Sequence, residues 1–206
     1  MKAIIGKKLE MTQVFREDGT VVPVTLIQTG PCTVIEVREH EAKKKVVVGF
    51  GTKKHVAKPQ KVAWGKEDGY AFVCEFILPE GVEVKAGDTI TIEDFIQGDL
   101  INVIGQSKGK GFQGVVKRHG FHGSPKTHGH KDQLRMPGSI GSGGVQRVFK
   151  GVRMAGRMGG DQVTVKNLEI VEVNAKDNVL AVKGAIPGAR GAYIQLIGTQ
   201  GNVWQK

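Results

Sequence analysis

Between Lys108 and Arg157 the chain crowds glycine, basic, aromatic and histidine residues at spacings that invite several chemistries. Gly109-Lys110-Gly111-Phe112-Gln113-Gly114 matches the G-x-G-x-x-G fingerprint of dinucleotide sites, follows the strand-like run 100–104, and has Asp132 eighteen residues beyond Gly114. Such a loop holds a pyrophosphate where it joins a strand to a crossover helix. Here Gly120, Gly123 and Pro125 interrupt the residues that would have to form that helix. No H-R-D or D-F-G motif accompanies the loop to make a kinase. His119, His122, His128 and His130 raise the question of a metal, but their neighbours are Lys, Arg, Gly and Ser rather than the cysteine or carboxylate that completes most zinc sites. Ser107, Ser124, Ser139 and Ser142 lack a nucleophile elbow, and Asp132 is the one acid near them. The expectation is a protein with no catalytic residues, no metal and no cofactor.

Charge offers a more coherent reading. Eleven Lys or Arg residues fall between Ile101 and Gly160 against Asp132 alone, a balance of +10, which is the formal net charge of the whole chain. Residues 1–100 and 161–206 together hold nineteen basic and nineteen acidic side chains and sum to zero. All the excess charge therefore lies in one window, together with fifteen of the thirty glycines and four of the six histidines. A neutral body carrying a basic, glycine-rich excursion suits a protein that is held on one side and enters a polyanion on the other.

Glycine lets a backbone pass close to a phosphate chain and offer its N–H groups, while Lys and Arg neutralise phosphates and release counterions. Phe112, Phe121 and Phe149 are candidates to stack on unpaired bases or to anchor the excursion, and the histidines to stack, to donate to phosphates or simply to stand exposed. A reader of duplex DNA would present a regular helix or ribbon to a groove. The stretch from Arg135 to Gly160, with eight glycines and no acid, keeps neither helical nor strand periodicity, so it fits the crevices of a folded RNA better.

The flanks must supply the rigid part. Runs at 21–27, 33–37, 45–50, 71–77, 89–92, 163–165, 168–173, 179–182 and 192–196 are strand-like and separated by turn signals such as Gly30-Pro31, with one short helix expected near Val62–Lys66. The predicted fold class is mainly β. Because strands resume after Asp161, residues 1–104 and 161–206 should form one discontinuous β-barrel body, with a small α+β insert near 40–95 and the irregular basic loop at 105–160 inserted in it. Lysines 43–45 with Lys53, Lys54 and His55 would add a second basic patch or a solvated face. Two cysteines give no disulfide framework, Lys7 and Lys8 interrupt the short apolar run Ala3-Ile4-Ile5 near the start, and no stretch is long enough for a membrane span, so a cytoplasmic protein is expected.

These residues also carry a resemblance. QSKGKGFQG at 106–114, Lys117-Arg118-His119, Thr127-His128-Gly129, RMPGSIG at 135–141 and Val148-Phe149-Lys150-Gly151 resemble the central signature of the bacterial ribosomal large-subunit protein three family. MKAIIGKKLEMTQVF at the start, and MAGRMGGDQVTVKNLEIVEV followed by VKGAIPGARG, resemble its two ends. The resemblance implies a translation-factor-like β-barrel and a loop running through large-subunit (23S) rRNA toward the peptidyl transferase centre. It further implies a role early in subunit assembly, with the rRNA and neighbouring large-subunit ribosomal proteins as partners, and neither a membrane nor a small-molecule substrate. Carried over residue by residue, RNA contacts fall on Lys108, Lys110, Phe112, Gln113, Lys117, Arg118, His119, His128, Arg135, Arg147, Lys150, Arg153 and Arg157. The loop tip falls on Ser142, Gly143, Gly144, Val145 and Gln146. The chain departs from the pattern at Glu10, where members usually have glycine, and between Gly141 and Arg147, where it is one residue shorter and lacks the usual proline. The tail 199–206 matches nothing in the pattern.

Overall fold

The structure, a computed structural model, describes residues 2–40, 43–64, 69–78 and 84–199. Within them the chain divides into two compact units, one made of Met1–Gln106 and Gln162–Lys206 and the other of Ser107–Asp161. The first is mainly β. Its larger sheet contains β1 (Ala3–Phe15), β2 (Val21–Thr29), β7 (Leu100–Gln106), β10 (Gln162–Asn174), β11 (Val179–Lys183) and β12 (Tyr193–Gly198). In spatial order β1-β12-β7-β10-β11-β2 these strands pair antiparallel throughout, and pairing of β2 with β1 closes the sheet into a barrel.

Alternation explains the closure. Ile101 and Val103 of β7 and Ile194 and Leu196 of β12 turn inward at every second position and meet Ile4, Ile5, Ile27, Ile170, Leu180 and Val182. Each such burial contributes about 1.5–3 kcal/mol. Where strands crowd, side chains vanish: a Cβ on Gly6 would lie 2.6 Å from Ile27 Cγ2. Residues 163–165 and 168–173, which read as two runs in the sequence, form one strand. The register shifts between Val165 and Leu168, where Asn167 sits at φ 57° and its amide donates to Asn102 Oδ1 at 3.1 Å.

A second sheet in the same unit has the order β5-β4-β3-β6, built from β3 (Cys32–His40), β4 (Lys43–Lys53), β5 (Gly69–Ile77) and β6 (Thr89–Ile90). Val34, Val46, Val48, Phe50 and Phe76 join it to the barrel core. It therefore begins at Cys32, earlier than the 40–95 insert read from the sequence. Residues 92–94 turn into a single 3-10 turn instead of continuing β6, and the short helix α1 spans Lys58–Trp64 with no residue buried. Residues 65 and 66 of the expected helix lie outside the described residues, as does nearly all of the tail 199–206. Cys32 and Cys74 are free.

Seven of this unit's nineteen Lys and Arg residues form ion pairs among the described residues. Lys2 meets Asp99, Arg16 and Lys183 share Glu169, and Arg38 and Lys45 share Glu75. Lys44 pairs with Glu39, so the second basic patch read around lysines 43–45 is partly neutralised. Glu10, the departure from the family pattern, is met by Arg190, which also donates to the Leu9 carbonyl. Apart from the partly buried Lys2–Asp99, these pairs are exposed, and each is worth at most about 1 kcal/mol.

Candidate nucleic-acid interface

The unit Ser107–Asp161 begins and ends as a ladder. Ser107 N–H donates to the Asp161 carbonyl at 2.8 Å, Lys110 N–H to Met158 O at 2.9 Å, and Met158 N–H to Gly111 O at 3.0 Å. Phe112 and Gln113 (β8) then pair with Arg157 and Gly156 (β9). Two glycines let these arms approach. Gly159 has φ 74°, and a Cβ there would fall on the Lys108 carbonyl; a Cβ on Gly156 would lie 2.6 Å from Arg118 Nη1. The apparent dinucleotide loop Gly109–Gly114 is thus one arm of a two-stranded ladder, and no βαβ turn forms around it.

Beyond the ladder a five-residue helix, α2 (Val115–His119), ends where Gly120 takes φ 72° and returns its N–H to the Val116 carbonyl at 3.0 Å. Val115 is the one buried residue of the whole unit. Arg118 Nη1 reaches across to the Met154 carbonyl at 2.8 Å, and His119 Nε2 approaches the same oxygen at 3.1 Å. The base of the window is therefore regular, contrary to the irregular loop expected over all of 105–160, because cross-arm hydrogen bonds replace the missing apolar periodicity.

Past Gly120 regularity ends. Ser124 N–H bonds the Leu134 carbonyl at 3.1 Å across Gly123, and Met136 N–H bonds Gln133 O at 3.3 Å. All seventeen residues from Arg135 to Gly151 are exposed, including Met136, Ile140, Val148 and Phe149. The predicted tip Ser142–Gln146 lies within this run and turns at Gly143 and Gly144, with Gly144 at φ 87°.

The thirteen predicted contact residues separate into two groups. Lys108, Lys110, Phe112, Lys117, His128, Arg135, Arg147, Lys150, Arg153 and Arg157 are exposed, Phe112 by 78%. Gln113, Arg118 and His119 are half-buried and hydrogen-bonded inside the unit, Gln113 through its amide to the Lys110 carbonyl. Arg153 holds its guanidinium carbon 5.0 Å from the centre of the Phe121 ring. Lys126 and Lys131, not singled out from the sequence, are also exposed, and their charge was the signal that marked them. None of the unit's eleven Lys and Arg residues forms an ion pair among the described residues, although Asp132 and Asp161 lie in the same unit. In the first unit, by contrast, seven basic side chains are paired among the described residues. Among the described residues no cluster of three His, Cys, Asp or Glu is placed to hold a metal, and no helix is long and apolar enough to cross a membrane.

Residues 82–186 match the family described as ribosomal protein L3. The chain is 44% identical over 209 residues to the large ribosomal subunit protein uL3 of Chlorobaculum parvum, covering 97% of this chain and 99% of that one. It belongs to the ribosomal protein L3 family. A second relative, the large ribosomal subunit protein uL3 of Chlorobium limicola, is 43% identical over 206 residues, with 96% and 98% of the two chains covered. The matched family segment 82–186 contains the entire Ser107–Asp161 unit. Membership makes the chain a ribosomal protein and not an enzyme.

Proposed function

We propose that the chain is a structural constituent of the large ribosomal subunit, in the cytoplasm, and that Ser107–Asp161 is the element that enters 23S rRNA. The observation that carries this is the set of eleven basic side chains that form no ion pair among the described residues, set among a run of exposed residues with almost no core of its own. Fixing a backbone costs about 1–2 kcal/mol per residue, so a stretch as poor in buried surface as 135–151 gains order from what it binds.

On this reading the ladder 107–113/156–161 and α2 hold the base of the loop together. Lys117, Arg135, Arg147, Lys150 and Arg157 anchor phosphates, and Phe112 and Phe149 stack on unpaired bases. Ser142–Gln146, without charge, serves position more than affinity, reaching toward the peptidyl transferase centre. The closed sheet plays the part of a translation-factor-like barrel that packs on neighbouring large-subunit proteins, and binding early in assembly follows from a loop that must be enclosed as the RNA folds. Sedimentation at moderate salt tests the reading: essentially all of the protein should travel with large subunits, whereas a free soluble pool comparable to the bound one would refute it.

A further inference from the structure

A cavity of about 780 Å³ opens within the Ser107–Asp161 unit, lined among others by Phe121, His122, Ser124, Gln133, Ser139 and Arg153. Its volume is in the range of about 300–1,000 Å³ that holds small organic ligands. We propose that it is a receptor for a single unstacked nucleobase of the bound RNA, a proposal that rests on the RNA-binding reading above.

Three features select a base over a phosphate. First, Arg153 is the only Lys or Arg in the lining, whereas a phosphate site gathers several donors or cations. Second, that guanidinium lies over the Phe121 ring at 5.0 Å, and the His119 ring stands 6.1 Å from the same ring at 45°. Phe121 thus braces a flat, exposed cation, and a flat guanidinium is a platform on which a base stacks. Third, the side-chain amide of Gln133 makes no hydrogen bond among the described residues, so one donor group and one acceptor remain to read a base edge. Backbone bonds hold the walls: Ser124 N–H to Leu134 O at 3.1 Å brings together the strands of loop that carry Phe121 and Gln133. Gly123 permits that approach, since a Cβ there would collide with the Leu134 carbonyl.

Arg153→Lys is the discriminating variant, because it keeps the charge and removes the flat face. Full-length wild type, Arg153→Lys and Gln133→Ala would each be bound to 23S rRNA, with base reactivity toward dimethyl sulfate and backbone acylation recorded at every nucleotide. The wild type should protect an unpaired base that Arg153→Lys exposes, with affinity about tenfold lower and an unchanged salt dependence. Gln133→Ala should alter the reactivity of that same nucleotide while leaving the remaining footprint in place. If Arg153→Lys keeps every protection and wild-type affinity, the pocket holds no base. If it changes the salt slope instead, Arg153 is a phosphate contact and the proposal fails, although RNA binding stands. A wild type without any footprint would overturn both readings.

Discussion

The amide of Ser107 and the carbonyl of Asp161 meet at 2.8 Å, and the Asp161 amide returns to Ser107 Oγ at 3.3 Å. Fifty-three residues lie between them in the sequence, yet the two close the neck of the basic unit. A ladder at the neck and exposed chain beyond it should differ in local stability. Limited proteolysis of the free protein is expected to cut first between Gly120 and Ala155, and more slowly at 107–119 and 156–161. Cleavage of the barrel strands as fast as of this loop would contradict the division.

Gly159 tests the neck itself. With φ 74° and the Lys108 carbonyl where a Cβ would go, Gly159→Ala combines a left-handed penalty of about 1–2 kcal/mol with a steric clash. The expected result is new cleavage within 107–113, weaker RNA binding and an unchanged thermal transition of the barrel. A wild-type cleavage pattern in the variant would show that the arms do not depend on this glycine.

Much of the barrel was legible because its inward positions alternate: Ile101, Val103, Ile194 and Leu196 announce themselves as strand residues. β1 did not, since Ala3, Ile4 and Ile5 are consecutively buried and its outer half, with Met11 and Phe15 exposed, runs out along a hairpin with β2. The bulge at Asn167 hid the continuity of β10, because a register shift breaks a period-2 pattern. In the basic window, residue types revealed the charge but not its use. Lys108 and Arg118 look alike in sequence, whereas one is exposed and the other binds the Met154 carbonyl, a partner thirty-six residues away. Pairing at that range leaves no local trace.

Cys32 provides a pH test of the core. Burial raises its thiol from 9.0 to about 11, outweighing the lowering effect of backbone hydrogen bonds with Ile5 and Gly30. A folded pKa above the unfolded value means that the native state holds the proton more tightly, so this group's contribution is complete below about pH 9 and disappears as pH rises toward about 11. The loss amounts to about 2–3 kcal/mol. Urea unfolding of wild type and Cys32→Val at pH 8 and pH 10.5 should show the wild type losing more stability over that interval. Parallel losses would mean that Cys32 ionises freely in the folded state.

The tip and the charged residues that flank it should fail differently. Deleting Gly143 and Gly144 removes an uncharged turn, so subunit assembly should stay close to normal while peptide-bond formation, or sensitivity to inhibitors of its centre, changes. Arg153→Glu with Arg157→Glu puts repulsion at two exposed cations and should stall assembly. Gradient profiles with a peptidyl transfer assay on the recovered subunits compare the two. A tip deletion that blocks assembly as severely as the charge reversals would refute the separation of roles.

The central claim, that the basic side chains of Ser107–Asp161 meet RNA phosphates, is tested most directly by the salt dependence of binding to 23S rRNA. With about eight of the eleven cations engaged, the log-log slope should be about −5 to −7. Replacing Arg135, Arg147 and Lys150 together by Ala should bring it toward zero by about two to three units. A wild-type slope near zero, or a slope that the triple variant leaves unchanged, would contradict phosphate anchoring by this unit.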